Sequence, residues 1–111
     1  MHLTHLDDRE PAEVMPHFWG KFIHTEHTTL AYWDIYPGAE LPLHSHPHEQ
    51  TVNLLVGEFE LTVNGQTHLL RAGDVLVIPG NVPHSGRATS APCRILDVFC
   101  PVREDYRAKF D

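Results

Sequence analysis

The stretch Gly38-Ala39-Glu40-Leu41-Pro42-Leu43-His44-Ser45-His46-Pro47-His48-Glu49-Gln50-Thr51-Val52-Asn53-Leu54-Leu55-Val56-Gly57 carries the chain's most informative pattern. In extended backbone, alternate side chains point the same way, so His44, His46 and Gln50 share a face. A β-barrel can bring such side chains to one enclosed point, because inward and outward positions alternate along every strand. Neutral imidazole is the commonest nitrogen donor to borderline divalent ions, so this face is a candidate metal site. His48 has the same parity, but its place between Pro47 and Glu49 predicts an outward turn position. Glu49 competes with Gln50, since a one-residue bulge would exchange their faces.

Outward from this stretch the sequence reads as short strands. Thr28 to Tyr36 is rich in β-branched and aromatic residues and stops at the turn pair Pro37-Gly38. Thr51 to Val56 is an apolar run closed by Gly57. Glu58 to Val63 alternates strictly, Asn64-Gly65 suits a two-residue type I′ turn, and Gln66 to Arg71 returns, which predicts a hairpin. Asp74 to Ile78 ends at Pro79-Gly80, and Cys93 to Cys100 is the last strong strand before Pro101. At most one short helical turn is expected near the C-terminus. Residues 1–16, charged and punctuated by Pro11 and Pro16, read as an N-terminal arm, and residues 17–111 as one all-β barrel domain. His84, in Pro79-Gly80-Asn81-Val82-Pro83-His84, follows a strand and a turn that could return it beside the first cluster, which makes it the natural candidate for a fourth ligand.

Composition narrows the partners. A chain of 111 residues suits one domain, and its net charge of −7 argues against nucleic acid, which needs clustered Lys and Arg. No apolar stretch approaches the roughly 20 residues of a membrane span. The acidic N-terminus lacks the pattern of a secretory signal, and a soluble, cytoplasmic protein is expected. Cys93 and Cys100 lie too far apart in one extended strand to be bridged, so both are expected as free thiols. Of the ten histidines, His2, His5, His17, His24 and His27 lack ligand spacing and read as exposed polar residues.

A second constellation lies in the last strand, Arg94-Ile95-Leu96-Asp97-Val98-Phe99-Cys100-Pro101-Val102-Arg103. A carboxylate inside an apolar run is expensive to bury without a partner. If Ile95, Asp97 and Phe99 face inward, Asp97 reaches the histidine chamber and Arg103 sits at its rim. The other reading is an Asp97–Arg103 ion pair that merely closes the barrel end.

Two motif spacings carry a family resemblance. Gly38, five residues, His44, one residue, His46, three residues, Gln50, six residues and Gly57 resembles the first cupin motif, with Gln in the slot usually held by Glu. Gly73, five residues, Pro79, then Asn81, two residues and His84 resembles the second, with Asn81 where Gly is common and Ala88 where Asn is common. The resemblance spans Gly38 to Ala88. It implies a double-stranded β-helix (jelly-roll) barrel holding one divalent metal ion, Ni, Zn, Fe or Mn, on His44, His46, Gln50 and His84. The six-residue interval to Gly57 selects Gln50 over Glu49. A homodimer is expected from the same resemblance. Three histidines and an amide are all neutral, so the ion would keep its full charge, attract anions and suit Lewis-acid chemistry better than oxygen chemistry.

The run His44-Ser45-His46-Pro47-His48-Glu49-Gln50, together with Asp97 to Tyr106, resembles the pectin-degradation cupins of the KdgF type. Members of that group open and ketonise 4,5-unsaturated uronate monosaccharides. The resemblance implies a non-redox, isomerase-like enzyme for a small anionic sugar, with Asp97, Phe99 and Arg103 lining the site. In that reading Asp97 moves the proton, Arg103 holds the substrate carboxylate and Phe99 packs on the ring. Two further classes stand beside it: another metal-dependent cupin enzyme, such as a dioxygenase or small isomerase, and a non-catalytic cupin that binds a metal or small ligand.

Overall fold

In the computed structural model, which describes residues 1–110, the hairpin expected around Asn64-Gly65 forms from β6 (Glu58–Val63) and β7 (Gln66–Arg71). Both turn residues have positive φ, 49° and 80°, as a type I′ turn requires. The other strands are β1 (Ala12–Met15), β2 (Phe18–His24), β3 (Thr29–Ile35), β4 (Glu40–His44), β5 (Glu49–Val56), β8 (Val75–Ile78), β9 (His84–Ala88) and β10 (Cys93–Cys100). They form a six-stranded sheet in the order β1-β2-β3-β10-β5-β8 and a four-stranded sheet in the order β4-β9-β6-β7. Every pairing is antiparallel, as in a jelly roll.

The core lies between the two sheets. Along β3 the buried positions alternate, Thr29, Ala31, Trp33 and Ile35, and along β10 they are Cys93, Ile95, Asp97 and Phe99. The period-2 apolar pattern therefore becomes the inner face of the six-stranded sheet. From the opposite sheet Phe59 and Leu61 meet it, and Phe18 packs edge-on against both Trp33 and Phe59. Burying one such aromatic is worth about 1.5–3 kcal/mol, so a few of them dominate the stability of so small a barrel. Cys93 and Cys100 are free.

The structure goes beyond the sequence reading in three segments. Within residues 1–16, Ala12–Met15 forms β1 and pairs with β2, and the segment before it is tied down. Lys21 Nζ donates to Leu6 O at 2.9 Å and Arg9 Nη1 donates to Phe22 O at 3.0 Å. Strands β2, β4 and β9 carry His, Gly, Pro or Lys at positions that blur their alternation, and the sequence does not announce them. The C-terminal segment forms a two-turn helix, α1 (Glu104–Phe110), rather than a single turn. Its Tyr106 and Phe110 rings pack on Phe22, at centroid distances of 5.0 and 5.4 Å. Tertiary packing thus holds a helix too short to be stable alone. Asp111 lies outside the described residues. No helix among those residues is long and apolar enough to cross a membrane.

Candidate metal centre

The first pair of the site comes from strand register. His44 at the end of β4 stands directly across from His84 at the start of β9, with ring centroids 4.2 Å apart. Asn81, at φ 67°, occupies the left-handed region in the turn before β9, a conformation open to Asn. His46 follows β4 in the connection to β5, its ring 5.7 Å from His44 and 5.0 Å from His84. One nitrogen from each of the three imidazoles lies within 4.8 Å of the others.

Backbone carbonyls set the orientation of all three rings. His44 Nδ1 lies 2.7 Å from Pro42 O, His46 Nδ1 3.1 Å from His48 O, and His84 Nδ1 2.9 Å from Val82 O. A carbonyl can only accept, so Nδ1 of His44 and of His84 carries the hydrogen and Nε2 presents a lone pair, while His46 faces an oxygen at both ring nitrogens. His84 Nε2 is buried and has no hydrogen-bond partner. Such an orphaned acceptor is costly in a protein interior, and a cation shared with the other two Nε2 atoms removes the cost. Burial lowers the pKa of His46 to about 4, helped by the charges of Arg103 and His84, and burial also lowers that of His84. The His46 and His84 rings are therefore neutral near pH 7, the form that binds metal. Three histidines on this barrel can bind a metal ion.

Gln50 is buried on the inner face of β5, whereas Glu49 is exposed. No bulge exchanges them, since β5 pairs in continuous register with β8, Gln50 facing Ile78 and Thr51 facing Val77. Gln50 Oε1 lies 3.1 Å from His46 Nε2. A neutral His46 has one N–H for the two oxygens that face it, and a cation at Nε2 would relieve the other contact. Gln50 is also the cross-strand partner of Phe99 on β10. His48 departs from the outward position expected of it. It is half-buried, its ring 5.4 Å from His46 and 6.5 Å from Phe99, and it stands outside the three-histidine group.

Asp97 is buried, and so are Ile95 and Phe99 on the same face of β10. The Trp33 indole N–H donates to Asp97 Oδ2 at 3.0 Å, while Oδ1 is buried without a hydrogen-bond partner. Burial pushes the Asp97 carboxyl up to about 7, against the opposing influence of the Gln50 amide, the Trp33 N–H and the Arg103 charge. The Asp97–Arg103 ion pair is not among the salt bridges of the described residues. Arg103 pairs instead with Asp105, Nε to Oδ1 at 2.9 Å and Nη2 to Oδ2 at 2.7 Å.

Arg103 is itself buried rather than at an open rim, because α1 folds over it. Its guanidinium carbon lies 3.9 Å from the Tyr106 ring centroid and 4.7 Å from that of Phe99. His44, Gln50, Asp97, Phe99 and Arg103 line one chamber, and Trp33 and Tyr106 join them. The sequence reading did not single out the last two. For Trp33 a signal exists: the alternation of β3 places its indole N–H in the core, where it needs an acceptor, and Asp97 is a buried acceptor in need of a donor. Tyr106 reaches the chamber only because α1 folds back over the barrel end, and no local pattern reports that.

Comparison with known proteins places this geometry in a family. A model of the cupin domain matches residues 31–99. The solved structure of KdgF from Halomonas sp. superposes with a TM-score of 0.84 at 28% identity, over 89% of this chain and 94% of that one. An RmlC-like cupin from Shewanella frigidimarina superposes with a TM-score of 0.88 at 25% identity, over 96% of both chains. Among curated proteins, quercetin 2,3-dioxygenase of Bacillus subtilis is 38% identical over 60 residues, which is 53% of this chain and 18% of that protein. The HTH-type transcriptional regulator PuuR of Escherichia coli is 42% identical over 57 residues, 50% of this chain and 31% of that protein. The chain thus spans less than a third of the length of either curated relative. With its two antiparallel sheets, its three converging histidines and a family match over most of its length, the chain belongs to the cupin domain family.

Proposed function

We propose that this cupin is a metal-dependent, non-redox enzyme that opens and ketonises 4,5-unsaturated uronate monosaccharides. The observation that carries the reading is the Asp97 carboxylate, buried, held by Trp33 through one oxygen and unpartnered at the other, in the chamber it shares with His44, Gln50 and Arg103. Its expected structural use, as a partner for Arg103, is taken by Asp105. The likeness to KdgF supports the same reading.

His44, His46, His84 and Gln50 are the proposed ligands of one divalent ion, Ni, Zn, Fe or Mn. When bound, the ion supplies Lewis acidity and positive charge toward a substrate oxygen. The remaining chemistry is proton transfer. Asp97 removes the proton of the anomeric hydroxyl; the C1–O5 bond breaks as the C1 carbonyl forms, and its electron pair stays on O5 as an enolate. Protonation at C4 then gives the C5 ketone, and Asp97 is the group positioned to return the proton. Arg103 holds the substrate carboxylate and Phe99 packs against the sugar ring.

Ketonisation removes the C4=C5 double bond, so the test is the fall of its ultraviolet absorbance with galacturonate-derived and alginate-derived unsaturated monomers. Metal-loaded protein should exceed both the spontaneous rate and that of metal-stripped protein. No excess on either monomer would refute the reading and leave the three-histidine barrel untouched.

We also propose that two copies pair across the outer face of the six-stranded sheet. There Val98 stands opposite Thr51, which stands opposite Val77, and Leu96 opposite Asn53, which stands opposite Val75. Val75 and Val77 are exposed. These six residues carry no charge, so two chains of net charge −7 meet there with the least repulsion. Sedimentation should give a dimer that Val75→Lys with Val77→Lys dissociates.

A further inference from the structure

Asp105 is the least expected member of the site. It lies on exposed α1, half of its side chain in solvent, yet both its oxygens are committed to one buried guanidinium. A guanidinium has two edges that match a carboxylate, one formed by Nε and one Nη, the other by the two Nη atoms. In Arg103 the first edge belongs to Asp105. Tyr106 and Phe99 confine the same group, at 3.9 and 4.7 Å from their ring centroids, and the Arg103 backbone N–H donates to the buried Thr29 Oγ1 at 2.9 Å. Side chain and backbone of Arg103 are both held, and Arg103 lines the chamber.

We propose that Asp105 is a positioning residue for carboxylate recognition: by occupying the Nε edge of Arg103 it turns the Nη1/Nη2 edge to the ligand, so that the site takes one carboxylate end-on. This deepens the reading of Arg103 given above and rests on its role in holding the substrate carboxylate. It adds a consequence for specificity. A ligand that needs the Nε edge must first displace Asp105, whereas a single planar carboxylate need not. The fixed fork also places the ligand's carboxylate at one distance from Asp97, which a freely rotating arginine would not do.

The test separates binding from turnover. Zinc-loaded protein is titrated calorimetrically with galacturonate, a saturated and unreactive carboxylate, and with galactose, its neutral counterpart. Wild type should bind galacturonate at least about tenfold more tightly than galactose. Asp105→Asn keeps the shape but loses the charge-assisted fork, and should weaken galacturonate about tenfold while leaving galactose, metal content and far-ultraviolet circular dichroism unchanged. Glu104→Gln, on the same turn but paired with Arg107, should change nothing. On unsaturated uronates, Asp105→Asn should raise KM with little loss of kcat, and Asp105→Glu should restore part of the binding.

Equal galacturonate affinity in wild type and Asp105→Asn would overturn the assignment, as would wild type that does not distinguish galacturonate from galactose. Asp105-dependent galacturonate binding without turnover of unsaturated uronates would leave the assignment standing and remove only the proposed reaction.

Discussion

Trp33 and Asp97 meet inside the barrel, where the indole N–H donates to Oδ2 at 3.0 Å and leaves Oδ1 without a partner. One oxygen is thereby fixed and the other keeps its acceptor capacity. Asp97→Asn is nearly isosteric and should keep fold and metal while lowering the ketonisation rate by about 10²-fold or more, the usual worth of a positioned acid or base. Unfolding or metal loss in that variant would show that the carboxylate serves the structure instead.

Trp33→Phe removes the donor and part of the buried ring, while edge-on contacts with Phe18 and Phe22 remain available to the smaller ring. Stability should fall by about 1–3 kcal/mol, as expected when a buried acceptor loses its partner, and kcat should fall more than metal content. Equilibrium urea unfolding and elemental analysis read the two effects separately.

Metal should bind at about one ion per chain, and added Ni²⁺, Zn²⁺, Mn²⁺ or Fe²⁺ should raise Tm, because an ion that binds only the folded chain stabilises it. His84→Ala should abolish that rise. Gln50→Ala should weaken metal retention by about tenfold or more, and Glu49→Ala should leave it intact. The opposite order would mean that Glu49 reaches the metal.

Arg103 holds the Asp105 carboxyl down to about 2 from its ordinary 3.8, chiefly through the hydrogen-bonded fork. A lowered folded-state pKa contributes stability that is present above the ordinary value and lost as pH falls through the lowered one. Wild type should therefore lose stability between about pH 4 and pH 2, and Asp105→Asn should show a shallower fall over that window. The effect is modest, because the Asp105 side chain is more than half exposed to screening solvent. Thermal melts across that range check it.

Gly57 separates β5 from β6 at φ 81°, and a Cβ there would stand 2.7 Å from the Pro92 carbonyl oxygen. Gly57→Ala combines backbone strain with a clash against rigid backbone. It should cost about 1–3 kcal/mol in urea unfolding, with metal affinity preserved in the folded fraction.

The sequence by itself determined the β6–β7 hairpin and the inward faces of β3 and β10, whereas His44, His46 and Gln50 converge from β4, the connection and β5 of two different sheets rather than from the one extended face expected. The hairpin and the two inward faces rest on period-2 alternation or on a turn that demands positive φ, both of which are local properties of the chain. Only the tertiary structure decided the rest. His44 meets His84 because β4 pairs with β9, a long-range pairing that no local pattern encodes. His48 turns inward, although its place between Pro47 and Glu49 predicted outward. Arg103 takes Asp105 instead of Asp97 because α1 folds back over the barrel end, and that helix is held by Tyr106 and Phe110 packing on Phe22. Hydrogen-bond partners of buried charged groups depend on which surfaces come together, and the free energy that brings them together is the burial of aromatic side chains distant in the sequence.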